Sequence, residues 1–184
     1  MLKRGGIPGL DYLASSVVSV LSENFLIYKG GVLIGSHAFQ AYSGMFGATF
    51  EKSSLRTLDI DIACDIKNIV DAAAIPLRFL DFLIKKPVDS VLIGVRGGIP
   101  VTVPHPARYA VHKLIISSQR PVSESAKSAK DIIQAEQIIL ICAKEQPYEL
   151  KRAFHEAMRQ GPKWKKYIEK GMLKLSSDAR SALQ

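Results

Sequence analysis

The sequence is poor in cysteine and has no long apolar run, and both features exclude classes of protein. Its two cysteines, Cys64 and Cys142, stand far apart and outside any C-x-x-C or Cys/His spacing. We therefore predict two buried free thiols and no zinc site. No uninterrupted apolar run approaches the roughly 18–20 residues that a membrane span needs. The first residues, MLKRGGIPGLDYL, lack the basic-then-apolar order of a secretion signal, so we expect a cytoplasmic protein.

Histidine is also scarce, and the four histidines show no metal-ligand or catalytic-triad spacing. They are His37, His105, His112 and His155. His37 adjoins Ser36 and could touch a bound phosphate, although a histidine packed at a helix end is the simpler interpretation. No internal repeat or low-complexity tract is evident, and 47% of the 184 residues are hydrophobic. This composition predicts one ordered domain, or one domain with a helical appendage.

Positive charge is abundant and unevenly distributed. The formal net charge is +8, and the segment from Lys144 to the C-terminus carries ten Lys and Arg against five Asp and Glu. Trp164 and Tyr167 stand among its lysines. Such a segment suits a phosphate-bearing partner such as a nucleic acid, but a solvated basic helix face has the same composition. Both interpretations stay open at this point.

The apolar periodicity predicts an α+β fold, with strands and helices first and helices alone afterwards. Helices are predicted over 11–23, 36–47, 75–86, 106–117, 126–144, 147–159 and 162–173, and strands over 25–35, 58–64, 90–95 and 99–103. The last two strands predict a hairpin. We therefore divide the chain into an α/β core over 1–104 and a helical region over 105–184.

The stretch RTLDIDIA, residues 56–63, places two carboxylates inside a run with the apolar character of a strand. Side chains two apart on a strand point to one face, so Asp59 and Asp61 would stand roughly 6.6 Å apart along it. Adjacent unpaired carboxylates repel each other and resist desolvation, which favours a cation between them. Mg²⁺ accepts one or two carboxylates together with waters and phosphate oxygens. A half-exposed edge strand with solvated aspartates is the alternative.

The pair Gly35–Ser36 ends the first predicted strand and opens a helix. A helix start presents backbone N–H groups and the positive end of a dipole, which suit a phosphate. Ser36 is predicted as the N-cap and Gly47 as the residue that closes the helix. A plain turn with a helix cap is the alternative. The aspartates 23 and 25 residues downstream of Ser36 support the phosphate interpretation.

A Gly-Ser turn, a helix and a D-h-D strand together resemble the signature of the nucleotidyltransferase superfamily related to DNA polymerase β. The segments PLRFLDFLIKKPVDSVLIG, VPHPARYAVHKLIISSQR and SAKDIIQAEQIIL extend the resemblance to a bacterial family of stand-alone nucleotidyltransferase-like proteins. Together the segments span most of the chain from about Val32 to Leu173. The HKL…KD arrangement is similar to that of toxin-type nucleotidyltransferases of abortive-infection and toxin–antitoxin systems. The implied fold is a small mixed β-sheet flanked by helices and followed by a C-terminal helical bundle.

The resemblance implies a nucleotide site on the first half of the chain. Gly35 and Ser36 would hold phosphates of a nucleoside triphosphate, and Asp59 and Asp61 would bind Mg²⁺. Arg56 would steady the loop or a phosphate. The implied reaction transfers a nucleoside monophosphate from the triphosphate to a hydroxyl of an acceptor, which is an RNA such as a tRNA, or a protein. The toxin-type similarity also implies a partner antitoxin of unknown identity.

The resemblance also assigns roles to two charged residues of the second half. Lys113 would contact the triphosphate, and Asp131 would orient Lys113 or join the site. Helical spacing gives independent support, because Tyr109, Lys113 and Ser117 share one face at i, i+4 positions. The alternative for Lys113 and Asp131 is a surface ion pair worth under about 1 kcal/mol.

The chain departs from the resembled family after the D-h-D strand. Relatives carry a longer segment with a further strand and a third carboxylate, whereas only residues 66–74 separate DIDIACD from IPLRFLDF here. Asp65, Asp71 and Asp89 are the candidates to replace that carboxylate. Two carboxylates suffice to bind a metal and a nucleotide, so a catalytically weakened nucleotide-binding or interaction module is the alternative to an enzyme. A purely structural helical adaptor is the third possibility.

Overall fold

Strands and helices alternate in the first part of the chain and helices follow in the second, as the sequence predicts. The computed structural model describes residues 6–26, 30–51, 59–63 and 79–184. Two compact units are formed, Met1–His105 and Pro106–Gln184. The strands lie in the first unit and pair as two small antiparallel sheets, whereas the second unit is helical. The α+β class is therefore confirmed, while the assignment of roles to 1–104 and 105–184 stays a prediction.

The first unit begins with helix α1 (Tyr12–Leu21), which the Asp11 side chain caps by accepting a 2.8 Å hydrogen bond from the Ala14 amide. The chain then continues in a π-helical turn, Ser22–Leu26. The predicted strand over 25–35 is therefore wrong at its start. Within the described part of that segment only β1 (Val32–Leu33) is strand. Apolar residues before the strand satisfy either structure, and periodicity cannot distinguish the two in so short a run.

Helix α2 (Gly35–Phe46) follows β1 and ends at Gly47, whose φ of 61° is the left-handed conformation predicted for the closing residue. A short helix, α3 (Leu80–Leu83), precedes the second sheet. That sheet is the predicted hairpin, β3 (Val88–Ile93) and β4 (Gly98–Val103), paired from Val88↔Val103 to Ile93↔Gly98. The hairpin is confirmed, with its first strand shifted two residues toward the N-terminus and its second strand beginning one residue earlier than predicted.

Helix α2 is anchored by its apolar side. Phe39 and Tyr42 are fully buried, and burial of a large apolar side chain contributes about 1.5–3 kcal/mol. The Phe39 ring stacks on Phe50 at a centroid distance of 4.5 Å. The Tyr42 hydroxyl donates a 2.7 Å hydrogen bond to the Pro104 carbonyl, so its buried polar end is satisfied. These contacts fix where the first turn of α2 lies within the first unit.

The second unit is built from α4 (Pro106–Gln119), α5 (Ser125–Glu145), α6 (Pro147–Met158), α7 (Pro162–Met172) and α8 (Ser177–Leu183). The four longer helices confirm the prediction to within two residues at each end. Helix α8 was not predicted. Its signal is Ser176, whose hydroxyl caps the helix by accepting a 3.4 Å hydrogen bond from the Ala179 amide.

Gly171 lets α7 lie directly against α4. A Cβ atom at this position would stand 2.6 Å from the Leu114 carbonyl oxygen and 3.0 Å from Leu114 Cβ. We expect Gly171→Ala to lower the free energy of unfolding by about 1–3 kcal/mol, because the helices must separate. Urea unfolding followed by circular dichroism measures the change.

Gly44 provides the matched control, since it also lies inside a helix. A Cβ there would meet the Val91 carbonyl oxygen at 3.5 Å, an ordinary contact. Alanine has the higher helix propensity by about 1 kcal/mol, so Gly44→Ala should be neutral or stabilising. Equal effects of the two substitutions would contradict the close approach at Gly171.

Candidate functional site

The first sheet places Asp61 beside the start of α2. Strand β1 pairs antiparallel with β2 (Ile62–Ala63) in the register Val32↔Ala63 and Leu33↔Ile62. One further hydrogen bond extends the ladder, from the Ile34 amide to the Asp61 carbonyl at 2.9 Å. Asp61 therefore stands opposite the residue that precedes Gly35. As predicted, the Gly-Ser turn and the aspartate segment lie next to each other, and Asp61 is the aspartate at the contact.

Only glycine fits at position 35. Its φ of +67° lies in the left-handed region, where side chains are strained. A Cβ atom on Gly35 would also overlap the Asp61 carboxylate, meeting Oδ2 first and lying 3.3 Å from Cγ. The carboxylate of Asp61 thus packs on the Cα of the first residue of α2. The position carries the positive end of the helix dipole, which stabilises negative charge.

One local prediction around this contact is wrong. The helix begins at Gly35, so Ile34, not Ser36, is the N-cap residue, and no side chain supplies a cap hydrogen bond. Ile34 has the extended conformation that ends a strand, and the left-handed Gly35 turns the chain directly into the helix. Ser36 is consequently a residue of the first turn, where its side chain is nearly buried.

The aspartates precede the strand instead of lying within it. Strand β2 covers Ile62–Ala63, so the predicted strand over 58–64 is shorter than expected in its described part. The alternation is nevertheless kept, because Asp59 and Asp61 are exposed while Ile60 and Ile62 are half-buried. Both carboxylates are therefore accessible to solutes, and their alternation with the isoleucines agrees with the predicted shared face.

These residues fit a hard divalent cation of low protein coordination. Within the described ranges no group of three or more His, Cys, Asp or Glu side chains is arranged to hold a metal. Mg²⁺ does not require such a group, because it keeps waters and takes one or two carboxylates plus substrate phosphates. The exposed carboxylate of Asp61, packed against Gly35, meets that requirement, and Asp59 supplies the second candidate ligand.

The second unit contains the other predicted pair, and it is buried. Lys113 on α4 donates a 2.7 Å hydrogen bond to Asp131 on α5, with 9% and 4% of the two side chains exposed. The Lys113 ammonium also lies 5.3 Å from the centre of the Tyr109 ring. A surface ion pair was the alternative for these residues, and their burial excludes it. Whether Lys113 contacts a triphosphate stays a prediction.

Asp131 has a second cationic partner that the sequence did not reveal. Arg120 donates from Nε to Asp131 Oδ2 at 2.5 Å and from Nη1 to Glu124 at 2.8 Å. Burial opposes the charge of Arg120, but its hydrogen bonds and charge interactions with Asp131 and Glu124 outweigh this, and its pKa is raised. The hydrogen bond from Arg120, and then the charge of Lys127, lower the pKa of Glu124. Arg120 follows the end of α4, outside any helical periodicity that could have predicted its direction.

Helices α4 and α5 meet along the face that helical spacing predicts. The Tyr109 hydroxyl donates to the Gln134 side-chain oxygen at 3.0 Å. Lys113 pairs with Asp131, and the Ser117 carbonyl accepts a 2.8 Å hydrogen bond from the Ser128 hydroxyl. The positions at i, i+4 and i+8 of α4 therefore all contact α5 through polar groups.

Several predicted residues lie elsewhere. Arg56, Asp65, Asp71 and Cys64 fall outside the described residues. Asp89 lies on β3 and accepts a 3.2 Å hydrogen bond from its cross-strand partner Thr102. Its role as a third carboxylate stays a prediction. The structure thus brings together Gly35 with Asp61 in one unit and Lys113 with Asp131 in the other.

The cysteine that the structure describes, Cys142, has the environment predicted for it. Cys142 is a free, fully buried thiol, as predicted, and burial raises its pKa to about 12. At neutral pH such a thiol is not a nucleophile.

Across the portion of the chain that the structure describes, no helix has both the length and the apolarity needed to cross a membrane.

A family model described as Nucleotidyltransferase matches the chain in two segments, residues 13–70 and 64–159. The two segments overlap over residues 64–70, directly after β2. No curated protein and no solved structure matches the chain.

Proposed function

Because the chain belongs to this nucleotidyltransferase family, we propose that it transfers a nucleoside monophosphate from a Mg²⁺-bound nucleoside triphosphate to an acceptor hydroxyl. The observation that supports this site is the contact between Asp61 and Gly35 at the first turn of α2. The acceptor is proposed to be an RNA such as a tRNA, or a protein. A toxin-type role with a partner antitoxin, which the HKL and KD segments imply, belongs to the same proposal.

The residues around Gly35 would bind and orient the triphosphate. The first turn of α2, with Gly35 and Ser36, directs the positive end of the helix dipole toward the phosphates. Asp59 and Asp61 would hold Mg²⁺, which when bound would neutralise phosphate charge and stabilise the attacking and leaving oxygens. In the reaction the acceptor hydroxyl releases its proton to solvent as its oxygen forms a bond to the α-phosphorus, and the bond between the α-phosphorus and the leaving pyrophosphate breaks.

The buried pair of the second unit would contribute a fixed cation. Asp131 holds the Lys113 ammonium by a 2.7 Å hydrogen bond and so restricts where it can point. A cation held in place in a poorly hydrated environment stabilises developing phosphate charge more than a mobile one does. We therefore propose that Lys113 contacts the triphosphate and that Asp131 acts as its positioning residue. Arg56 would steady the nearby loop or a phosphate.

A catalytically weakened nucleotide-binding module is the second candidate. It is favoured by the short connection of residues 66–74, where the resemblance implies a further strand and a third carboxylate. The two-segment family match meets at the start of this connection. Such a module would bind the triphosphate through the same residues and release no pyrophosphate.

The test is a pyrophosphate-release assay with each labelled nucleoside triphosphate and a bulk tRNA acceptor, with Mg²⁺ and with a chelator. We expect release only with Mg²⁺, and none from the variant Asp59→Ala plus Asp61→Ala. Substitution of two exposed carboxylates should leave the melting temperature nearly unchanged, which separates loss of function from unfolding.

Thermal stabilisation by the triphosphate distinguishes the two candidates. A ligand at about 100 times its dissociation constant stabilises the folded state by about 2.7 kcal/mol. Stabilisation without pyrophosphate release with any acceptor would support the binding module. If the triphosphate causes no stabilisation and no pyrophosphate is released, both candidates are contradicted and the structural adaptor is favoured.

A further inference from the structure

Helix α6 presents a basic groove on its exposed side. The groove has a volume of about 440 Å³, and its lining includes Tyr148, Lys151, Arg152, His155 and Arg159. These positions recur every three or four residues, so they form one stripe along the helix. From Tyr148 to Arg159 the stripe is about 16 Å long at 1.5 Å per residue. A stripe of this length is suited to an extended ligand with repeated negative charges.

The acidic residues near the stripe are already neutralised. Glu156 also lines the groove, but the nearly buried Arg108 holds its carboxylate through contacts of 2.5 and 3.4 Å. Glu149 pairs with Arg152 at 2.6 Å. Lys151 and Arg159 form no ion pair with any residue that the structure describes. The groove therefore presents two cations, Lys151 and Arg159, that have no ion-pair partner within the described ranges.

The next helix adds to the positive potential. Lys163, Lys165 and Lys166 on α7 are all exposed and follow Arg159 by four to seven residues. Only Lys165 is paired among the described residues, at 3.9 Å from Glu169, a distance that gives little neutralisation. Clustered cations raise the local concentration of polyanions and accelerate their association.

We propose that the α6 groove binds a single strand of RNA. Lys151 and Arg159 would contact phosphates along the strand. Tyr148, whose side chain is 73% exposed, would stack on a base. The Arg152 guanidinium lies 5.9 Å from the centre of the Tyr148 ring and steadies it. The aromatic ring among the cations favours RNA over an acidic protein, because a carboxylate-rich segment offers nothing for the ring to stack on. The inference rests on the proposed function, for which it selects RNA as the acceptor class.

The experiment measures fluorescence anisotropy of a labelled oligouridylate with the full chain, without triphosphate or Mg²⁺, over a range of salt concentrations. Lys151→Gln plus Arg159→Gln should weaken binding at least about tenfold. The slope of log K against log salt should fall by about 1.4, which corresponds to two phosphate contacts on a single strand. Tyr148→Ala should weaken binding about tenfold through lost stacking.

The matched control is Lys144→Gln plus Arg180→Gln, which removes the same two charges from exposed positions on α5 and α8. This control should bind within about twofold of the parent. The proposal is overturned if the control loses as much affinity as the groove variant, or if polyglutamate competes as effectively as unlabelled oligouridylate. Equal melting temperatures of the variants exclude misfolding as the cause.

Binding without triphosphate separates this inference from the proposed reaction. Groove-dependent RNA binding in a protein that shows no pyrophosphate release would support the groove and contradict the transferase. Pyrophosphate release together with unchanged RNA affinity in the groove variant would overturn the groove and leave the transferase standing.

Discussion

Gly35→Ala is expected to abolish nucleotidyl transfer while the protein stays folded. The new methyl group would occupy the space of the Asp61 carboxylate, which must then move from the start of α2. A displacement of about 1 Å in a catalytic group commonly costs on the order of 100-fold in rate. The carboxylate would also lose its position at the positive helix end. Pyrophosphate release and triphosphate-dependent thermal stabilisation are the two measurements.

Gly47→Ala is the control that isolates the contact from the backbone strain. Gly47 has a φ of +61°, close to that of Gly35, but a Cβ there would meet no atom within 4 Å. Both substitutions should cost about 1–2 kcal/mol of stability through the left-handed conformation. Only Gly35→Ala should lose activity. Full activity in Gly35→Ala, or equal loss in Gly47→Ala, would remove the basis for placing the site at this turn.

Asp131→Ala is expected to lower the free energy of unfolding by about 3–5 kcal/mol. The substitution leaves the Lys113 ammonium buried without its 2.7 Å partner and takes one of two acidic partners from Arg120. An uncompensated charge in a nearly water-free position is among the most destabilising changes in proteins. Urea denaturation at neutral pH gives the value directly.

Two further variants show whether burial is the cause. Glu149→Ala breaks the more exposed pair with Arg152 and should cost under about 1 kcal/mol. The 2.6 Å distance of this pair is similar to the 2.7 Å between Lys113 and Asp131, so the two pairs differ in burial and not in length. Lys113→Met combined with Asp131→Leu should recover part of the loss, because no buried charge is left unpaired at those positions. A small effect of Asp131→Ala would show that the Lys113 charge is hydrated, and the fixed-cation role would then fail.

Long periodic segments were predictable from the sequence, and short ones were not. The helix from Ser125 to Glu145 repeats its apolar positions over many turns, so its pattern outweighs local ambiguity. Among the described residues of the first predicted strand, only Val32–Leu33 is strand, because a short apolar run is compatible with a helical turn as well as with a strand. Strand ends depend on partners from distant sequence, which a local pattern does not contain.

Of the candidate site, the sequence indicated which two segments meet and left the geometry of their contact open. The Gly-Ser turn and the D-h-D pattern correctly pointed to a contact between their segments, which exists between Gly35 and Asp61. That Ile34 would cap the helix depends on the glycine backbone angle, which the sequence permits without requiring it. Arg120 was missed because an arginine after a helix end can point in many directions until a carboxylate fixes it.

The two-residue pairing of β1 with β2 makes the site sensitive to alignment between distant segments. Side chains along an extended segment alternate between its two sides, so slippage by a single position would present Ile60 or Ile62 to Gly35 instead of Asp61. A hydrocarbon would then replace the acid at the helix start. Insertions between the two strands keep the contact only while they preserve this match, and an odd offset would remove the carboxylate from the proposed binding site.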